Sequence, residues 1–253
     1  MTILSIFVFI FGAVIGSFLN VVILRLPESG QSIVYPASHC PGCKEALRWY
    51  DNIPILSYIF LRGRCRSCQQ HVSWQYPVVE MLAAVLAVML WFFYPWQIFL
   101  IRYIFACALL VIIWIDIRHQ IVPDLITIPG IVLGFCFAFF NPILYWYDSA
   151  LGIILGGGVL YLVALFYYLL TKRQGMGGGD IKFLAMIGSF LGWQSLPFVV
   201  FVSSLMGSLV GLFAMAKQKK GGQTVIPYGP FLAVAALLYI FFEKQILFLL
   251  WAL

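Results

Sequence analysis

The sequence predicts an all-α, polytopic membrane protein with about eight transmembrane helices and one small cytoplasmic loop. Three observations predict it. Of 253 residues, 63% are hydrophobic and 9% charged, a composition outside the range of soluble globules. Apolar runs close to bilayer-spanning length recur from end to end. The basic residues fall almost entirely on one side of those runs, as the positive-inside rule demands.

The first apolar run, 3–24, leads into GSFLNVVILRLP, a basic and Pro-terminated end. It has no basic leading segment and no small-residue cleavage site after it, so it reads as a retained helix rather than a signal peptide. A polar stretch follows, and then runs at 77–94, 98–115, 125–141, 149–170, 178–195, 196–216 and 231–251. Tight turns around Tyr94-Pro95-Trp96 and near Gly192-Trp193-Gln194 keep neighbouring runs separate.

If the first helix runs outside to inside, thirteen of the fifteen Lys and Arg lie inside, and only Arg102 and Lys244 near the outer side. Lys172-Arg173 and Lys217/Lys219/Lys220 mark inner ends, and Asp148-Ser149 a basic-free outer turn. The chain then divides into a first transmembrane helix (1–24), a cytoplasmic loop (25–76) and a seven-helix membrane bundle (77–253).

The net charge of +6 follows from the same distribution. Nucleic-acid binding is not expected, because no basic patch with its own fold appears. Small-xxx-small pairs recur at Gly12/Gly16, Gly130/Gly134, Gly152/Gly156, Gly188/Gly192 and Gly207/Gly211. They predict close helix packing within one bundle. No internal repeat is evident, and no matching halves with broken helices, the mark of a transporter, are found.

Within the polar loop, Cys40-Pro-Gly-Cys43 and Cys65-Arg-Ser-Cys68 stand twenty-one residues apart. Each CxxC turn points two sulfurs at one centre, and two such turns complete a tetrahedral set that zinc favours in structural sites. The alternatives are two disulfides, which a reducing cytoplasm opposes, and a metal-free reduced loop. A loop this small has little core of its own, so a metal supplies folding energy. Cys107 and Cys136, in apolar helices, read as small core residues.

Ionisable residues at membrane depth are costly and mark functional sites. Asp116, in WIDIRHQIVPD, ends the third run, and Asp180, in GMGGGDIKF, opens the sixth. The topology places both at the cytoplasmic end of the bundle. From Ile181 to the turn near Trp193 there are only about a dozen residues, fewer than the roughly twenty a span needs. The helix must therefore start before Asp180. Paired carboxylates that share protons perform acid–base hydrolysis. The alternatives are a helix cap for Asp180, a head-group position for Asp116, or a proton relay in a proton-coupled membrane transporter. Asp124 fits an N-cap, and Glu80 either lines the site or meets a basic neighbour.

These residues carry a resemblance to the prepilin peptidases, or type IV leader peptidases, which are GxGD-type intramembrane aspartic proteases. GSFLNVVILRLP (16–27), the paired CxxC motifs, SWQYPVVEML (73–82), Asp116 with its downstream Val-Pro-Asp, and Gly177-Gly178-Gly179-Asp180 all match. Ile226-Pro227-Tyr228-Gly229-Pro230 is similar to a late element in which Phe is usual where Tyr stands here. The resemblance implies cleavage of prepilin or pseudopilin leaders at the cytoplasmic face of the bacterial inner membrane, with Asp116 and Asp180 catalytic. It also implies N-methylation of the new N-terminus using S-adenosylmethionine, although no nucleotide-binding fingerprint is present. Two-carboxylate hydrolysis asks for no metal, which assigns zinc to the loop.

Overall fold

Every predicted apolar run forms a helix in a computed structural model that describes residues 2–28, 32–35, 38–40, 42–172, 177–218 and 227–251. Arg173, Lys219, Lys220 and Ile226 lie outside the described residues, as do the side chains of Lys217 and Gln218. The helices are α1 (Thr2–Arg25), α2 (Leu56–Phe60, in the loop), α3 (Gln75–Phe93), α4 (Trp96–His119) and α5 (Asp124–Ala138). After them come α6 (Trp146–Thr171), α7 (Gly178–Leu191), α8 (Leu196–Gln218) and α9 (Gly229–Trp251). Among the described residues there is no strand, only two isolated antiparallel bridges in the loop.

Six of these helices are long and apolar enough to cross a membrane. The other two membrane-region helices, α5 and α7, have 15 and 14 residues. At 1.5 Å per residue they reach only about 21–23 Å, short of the ~30 Å hydrocarbon core. The predicted 125–141 and 178–195 spans are thus shorter than expected. In α5 the turns after Ala138 leave the helical path, and α7 stops at Gly192, whose φ of 80° ends it.

The chain forms two compact units, Met1–Val111 and Ile112–Leu253, so α4 contributes to both. In the first, α1 lies on α3 through its small residues. A Cβ at Gly12 would stand 2.7 Å from Ala84 Cα, and one at Gly16 2.6 Å from Glu80 Cα. Polar groups bridge the same pair of helices: Asn20 Nδ2 donates to the Tyr76 carbonyl at 3.1 Å. Arg102 is buried, with its guanidinium 5.5 Å above the Tyr94 ring.

In the second unit α7 is the centre. Every residue from Phe183 to Leu191 is buried. Gly152 of α6 and Gly188 of α7 face each other so closely that a Cβ on either would overlap the other's carbonyl. The expected small-residue packing therefore operates within each unit. Ser149, expected in an outer turn, is instead buried in the first turn of α6, where its hydroxyl donates to the Ser189 carbonyl at 2.7 Å. Cys107 is buried as expected, but Cys136 is exposed on α5.

Candidate active site and candidate metal centre

The position of Asp116 follows from how α4 stops. The run expected to close at 115 continues to His119, with Arg118 and His119 where cations favour a helix C-terminus. Gln120 then enters the left-handed region at φ 54°, and its N–H returns to the Asp116 carbonyl at 2.9 Å. Asp116 is 4% exposed. Its Oδ2 accepts the backbone N–H of Gly229 at 2.9 Å.

Gly229 opens α9, so its N–H is one that a helix leaves without an internal partner. Asp116 therefore caps α9 from another helix. A Cβ at Gly229 would stand 2.7 Å from that Oδ2 and 3.4 Å from Val122 Cγ2. A side chain there would push the carboxylate away from the N–H.

Asp180 is the third residue of α7, so the helix does begin before it. Gly177 occupies the cap position, which removes the helix-cap reading of Asp180. The glycine run lets α7 approach the α4–α5 connector: a Cβ at Gly179 would lie 3.0 Å from Val122 Cβ and 3.3 Å from its carbonyl oxygen. Val122 thus sits between Gly179 and Gly229. Around it the Asp116, GGGD and Tyr-Gly-Pro segments converge.

Asp124 is not an N-cap. Pro123 holds that position, and Asp124 is the first helical residue of α5. Its carboxylate instead receives Lys182 Nζ at 2.8 and 2.7 Å. Lys182, two residues beyond Asp180, had read only as an inner-side charge. The pair is exposed and contributes roughly 1 kcal/mol or less to stability. Its geometric effect is larger, since it ties the start of α5 to the start of α7. Glu80 meets no basic side chain among the described residues. It is buried, accepts the Ile55 N–H at 2.7 Å, and bonds the Ser17 side chain. Ile55 has φ 63°, a conformation that β-branched residues avoid.

The four loop cysteines do meet. Their sulfurs all lie within 4.8 Å of one another, with Cys40–Cys68 at 3.7 Å and Cys43–Cys65 at 4.0 Å. All four are free thiols. Four sulfurs bound about 2.3 Å from a zinc ion form a tetrahedron with edges of about 3.8 Å. The donor set and spacing fit a structural metal ion.

Two turns of one design produce this arrangement. Cys40 N–H bonds Glu45 O at 3.0 Å and Lys44 N–H bonds Cys40 O at 2.9 Å; Cys65 N–H bonds Gln70 O at 2.9 Å and Gln69 N–H bonds Cys65 O at 3.0 Å. Lys44 and Gln69 share a positive φ, 57° and 58°. The sequence shows no such repeat, because only the cysteines recur in it. The backbone N–H of Cys43 directed at Cys40 lowers that thiol to about 6. At Cys43 the Glu45 N–H acts in the same direction, but desolvation and the surrounding thiols outweigh it and push the group up to about 12. A cluster that holds one thiolate readily and resists a second is suited to a cation that displaces the remaining protons.

Residues 10–94 match the bacterial peptidase A24 N-terminal domain, and residues 103–212 match the type IV leader peptidase family. The prepilin leader peptidase/N-methyltransferase of Pseudomonas putida is 34% identical over 259 residues, covering 94% of this chain and 90% of that protein. The protein of the same name from Aeromonas hydrophila is 36% identical, covering 90% and 87%. A third, from Burkholderia pseudomallei, is 34% identical, covering 96% and 87%. No solved structure matches the chain.

Proposed function

Because the chain belongs to the type IV leader peptidase family, we propose that Asp116 and Asp180 together hydrolyse the leader peptide bond of prepilins or pseudopilins. The protein is a multi-pass membrane aspartic endopeptidase that also N-methylates its product. The convergence of three separate segments around Val122 carries this reading.

One carboxylate, ionised, takes a proton from water as the water oxygen attacks the scissile carbonyl. The other, protonated, donates to the carbonyl oxygen. Collapse of the tetrahedral intermediate returns a proton to the departing amine and frees the new N-terminus. Two carboxylates that pass a proton between them in this way act as one unit rather than as separate acids. The site works at the cytoplasmic face of the bacterial inner membrane, a sidedness supported by the distribution of Lys and Arg.

An apolar cleft of about 520 Å³ between α6, α7 and α8 reaches Leu184, one turn along α7 from Asp180. Its lining suits an apolar substrate segment lying beside the bundle. In the loop, Cys40, Cys43, Cys65 and Cys68 hold zinc in a structural role, on the strength of their donor chemistry and spacing. The proposed division of labour is a first helix over 1–24, the zinc loop over 25–76 and the seven-helix bundle over 77–253. The methyl donor is of the S-adenosylmethionine type, a reading that rests on the relatives' name alone. Nothing in the comparisons supports a proton-coupled transporter.

The direct test is to incubate the detergent-solubilised protein with a prepilin and follow its conversion to the mature size. Wild-type protein converts it. Failure to convert any prepilin or pseudopilin, in protein that is folded and metal-loaded, rejects the assignment.

A further inference from the structure

Asp116 is held by more than its own motif. Tyr228 immediately precedes α9, and its hydroxyl lies 2.8 Å from Ser203 Oγ and 3.2 Å from Ser204 Oγ, both on α8. A neighbouring bond fixes the direction of the first. Ser203 Oγ donates to the Val200 carbonyl at 3.1 Å, so it accepts from Tyr228, and the Tyr228 oxygen is then the acceptor for Ser204. Ser203 is 0% exposed, so its bond to Tyr228 is part-buried and satisfied, whereas the bond to Ser204 lies at the exposed side.

The backbone of Tyr228 is fixed independently. Its carbonyl accepts the N–H groups of Phe231 at 3.1 Å and Leu232 at 3.3 Å, which opens α9. Pro230 has no N–H to offer. The first donor of α9 is therefore Gly229, and it points at Asp116 Oδ2. One residue is thus pinned at its hydroxyl by α8 and at its carbonyl by α9, and the next N–H along the chain meets the carboxylate.

We propose that Tyr228 is a positioning residue for Asp116, its anchor on Ser203 and Ser204 fixing the start of α9 so that Gly229 N–H orients the carboxylate. The proposal rests on Asp116 being catalytic. Phe at this position would fill the ring space without the hydroxyl. Replacement by Phe should leave a working but slower enzyme.

The test compares steady-state prepilin cleavage by the purified full-length protein with that of Tyr228→Phe, Ser203→Ala, Ser203→Thr, the Tyr228→Phe/Ser203→Ala double variant and Asp116→Asn. Loss of the anchoring bonds should lower kcat by about tenfold in Tyr228→Phe, on the scale of one net hydrogen bond, with KM unchanged. Ser203→Ala should lose less, since Ser204 remains, and Ser203→Thr should restore the rate. The double variant should match Tyr228→Phe, because the serine acts only through the hydroxyl.

Wild-type kcat in Tyr228→Phe, a rise in KM alone, or additive losses in the double variant would overturn the proposal. If Tyr228→Phe does not fold, the serine pair decides: equal kcat for Ser203→Ala and wild type overturns it. Asp116→Asn keeps the two readings apart. Full cleavage by that variant rejects the active-site reading itself, whereas an inactive Asp116→Asn beside an unaffected Tyr228→Phe rejects only the brace.

Discussion

The cysteine cluster and the aspartate pair are each assembled from two short motifs, but by opposite means. Cys40 and Cys68 stand 28 positions apart, and two like backbone turns aim the sulfurs at one point. Asp116 and Asp180 sit on different helices, with all of α5 and α6 between them in the chain. Nothing local aims one at the other. Their approach depends on α7 seating against α6 through Gly152 and Gly188, and on Gly179 and Gly229 closing on Val122. Loss of one cysteine should therefore injure the proposed metal centre locally, whereas the proposed active site should respond to changes made helices away.

The largest effect expected is in Asp116→Asn and Asp180→Asn. Each amide keeps the size of the side chain but cannot carry or share the proton, so leader cleavage should fall below detection. Zinc content and membrane accumulation should match wild type. Normal cleavage by either variant, scored by conversion of prepilin, would break the comparison at its root.

The metal centre should give the complementary result. Metal analysis of purified protein should find about one zinc per chain, as a single four-thiolate site predicts. Replacing any one of Cys40, Cys43, Cys65 or Cys68 with Ser should reduce that content and speed proteolysis within the loop. Cys107→Ala and Cys136→Ala should leave it unchanged. Acid should release the metal: Cys43, pushed up to about 12 in the free thiol cluster, binds as a thiolate only by giving up its proton, so falling pH favours the metal-free form. Protein without zinc whose four thiols react freely would rule out the centre.

A smaller effect belongs to the ion pair that bridges the helix starts flanking the aspartates. Asp124→Asn should lower cleavage several-fold rather than abolish it, because an exposed pair contributes at most about 1 kcal/mol. Exchange of the charges in Asp124→Lys/Lys182→Asp should recover part of the loss. If Asp124→Asn cleaves normally, the pair plays no part in seating α7.

The contrast also explains what was legible in the sequence. Helix number and order follow from apolar length, and the loop cysteines follow from spacing, since both are local properties. That Asp180 lies inside a helix followed from counting residues up to Trp193. What escaped reading depends on partners distant in the chain. Lys182 shows no sign of Asp124, and Tyr228 shows none of Ser203. Asp124 looked like a cap because Val-Pro-Asp favours a helix start, but Pro123 took the cap position and freed the carboxylate. Glu80 had two readings, an ion pair or a site residue; it meets no basic side chain among the described residues and accepts the strained Ile55 N–H.

The shortness of α7 also bears on how the protein is made. A 14-residue helix bearing Asp180 and Lys182 near its start gives the insertion machinery too little apolar length to hold it in the bilayer alone. Gly192 turns the chain at once toward α8, which is long and apolar enough to span. The two helices should therefore enter as a hairpin, with α8 carrying α7 to its depth. A nascent chain halted after Leu191 should leave Asp180 in water, so the proposed aspartate pair would be completed only once α8 has been synthesised.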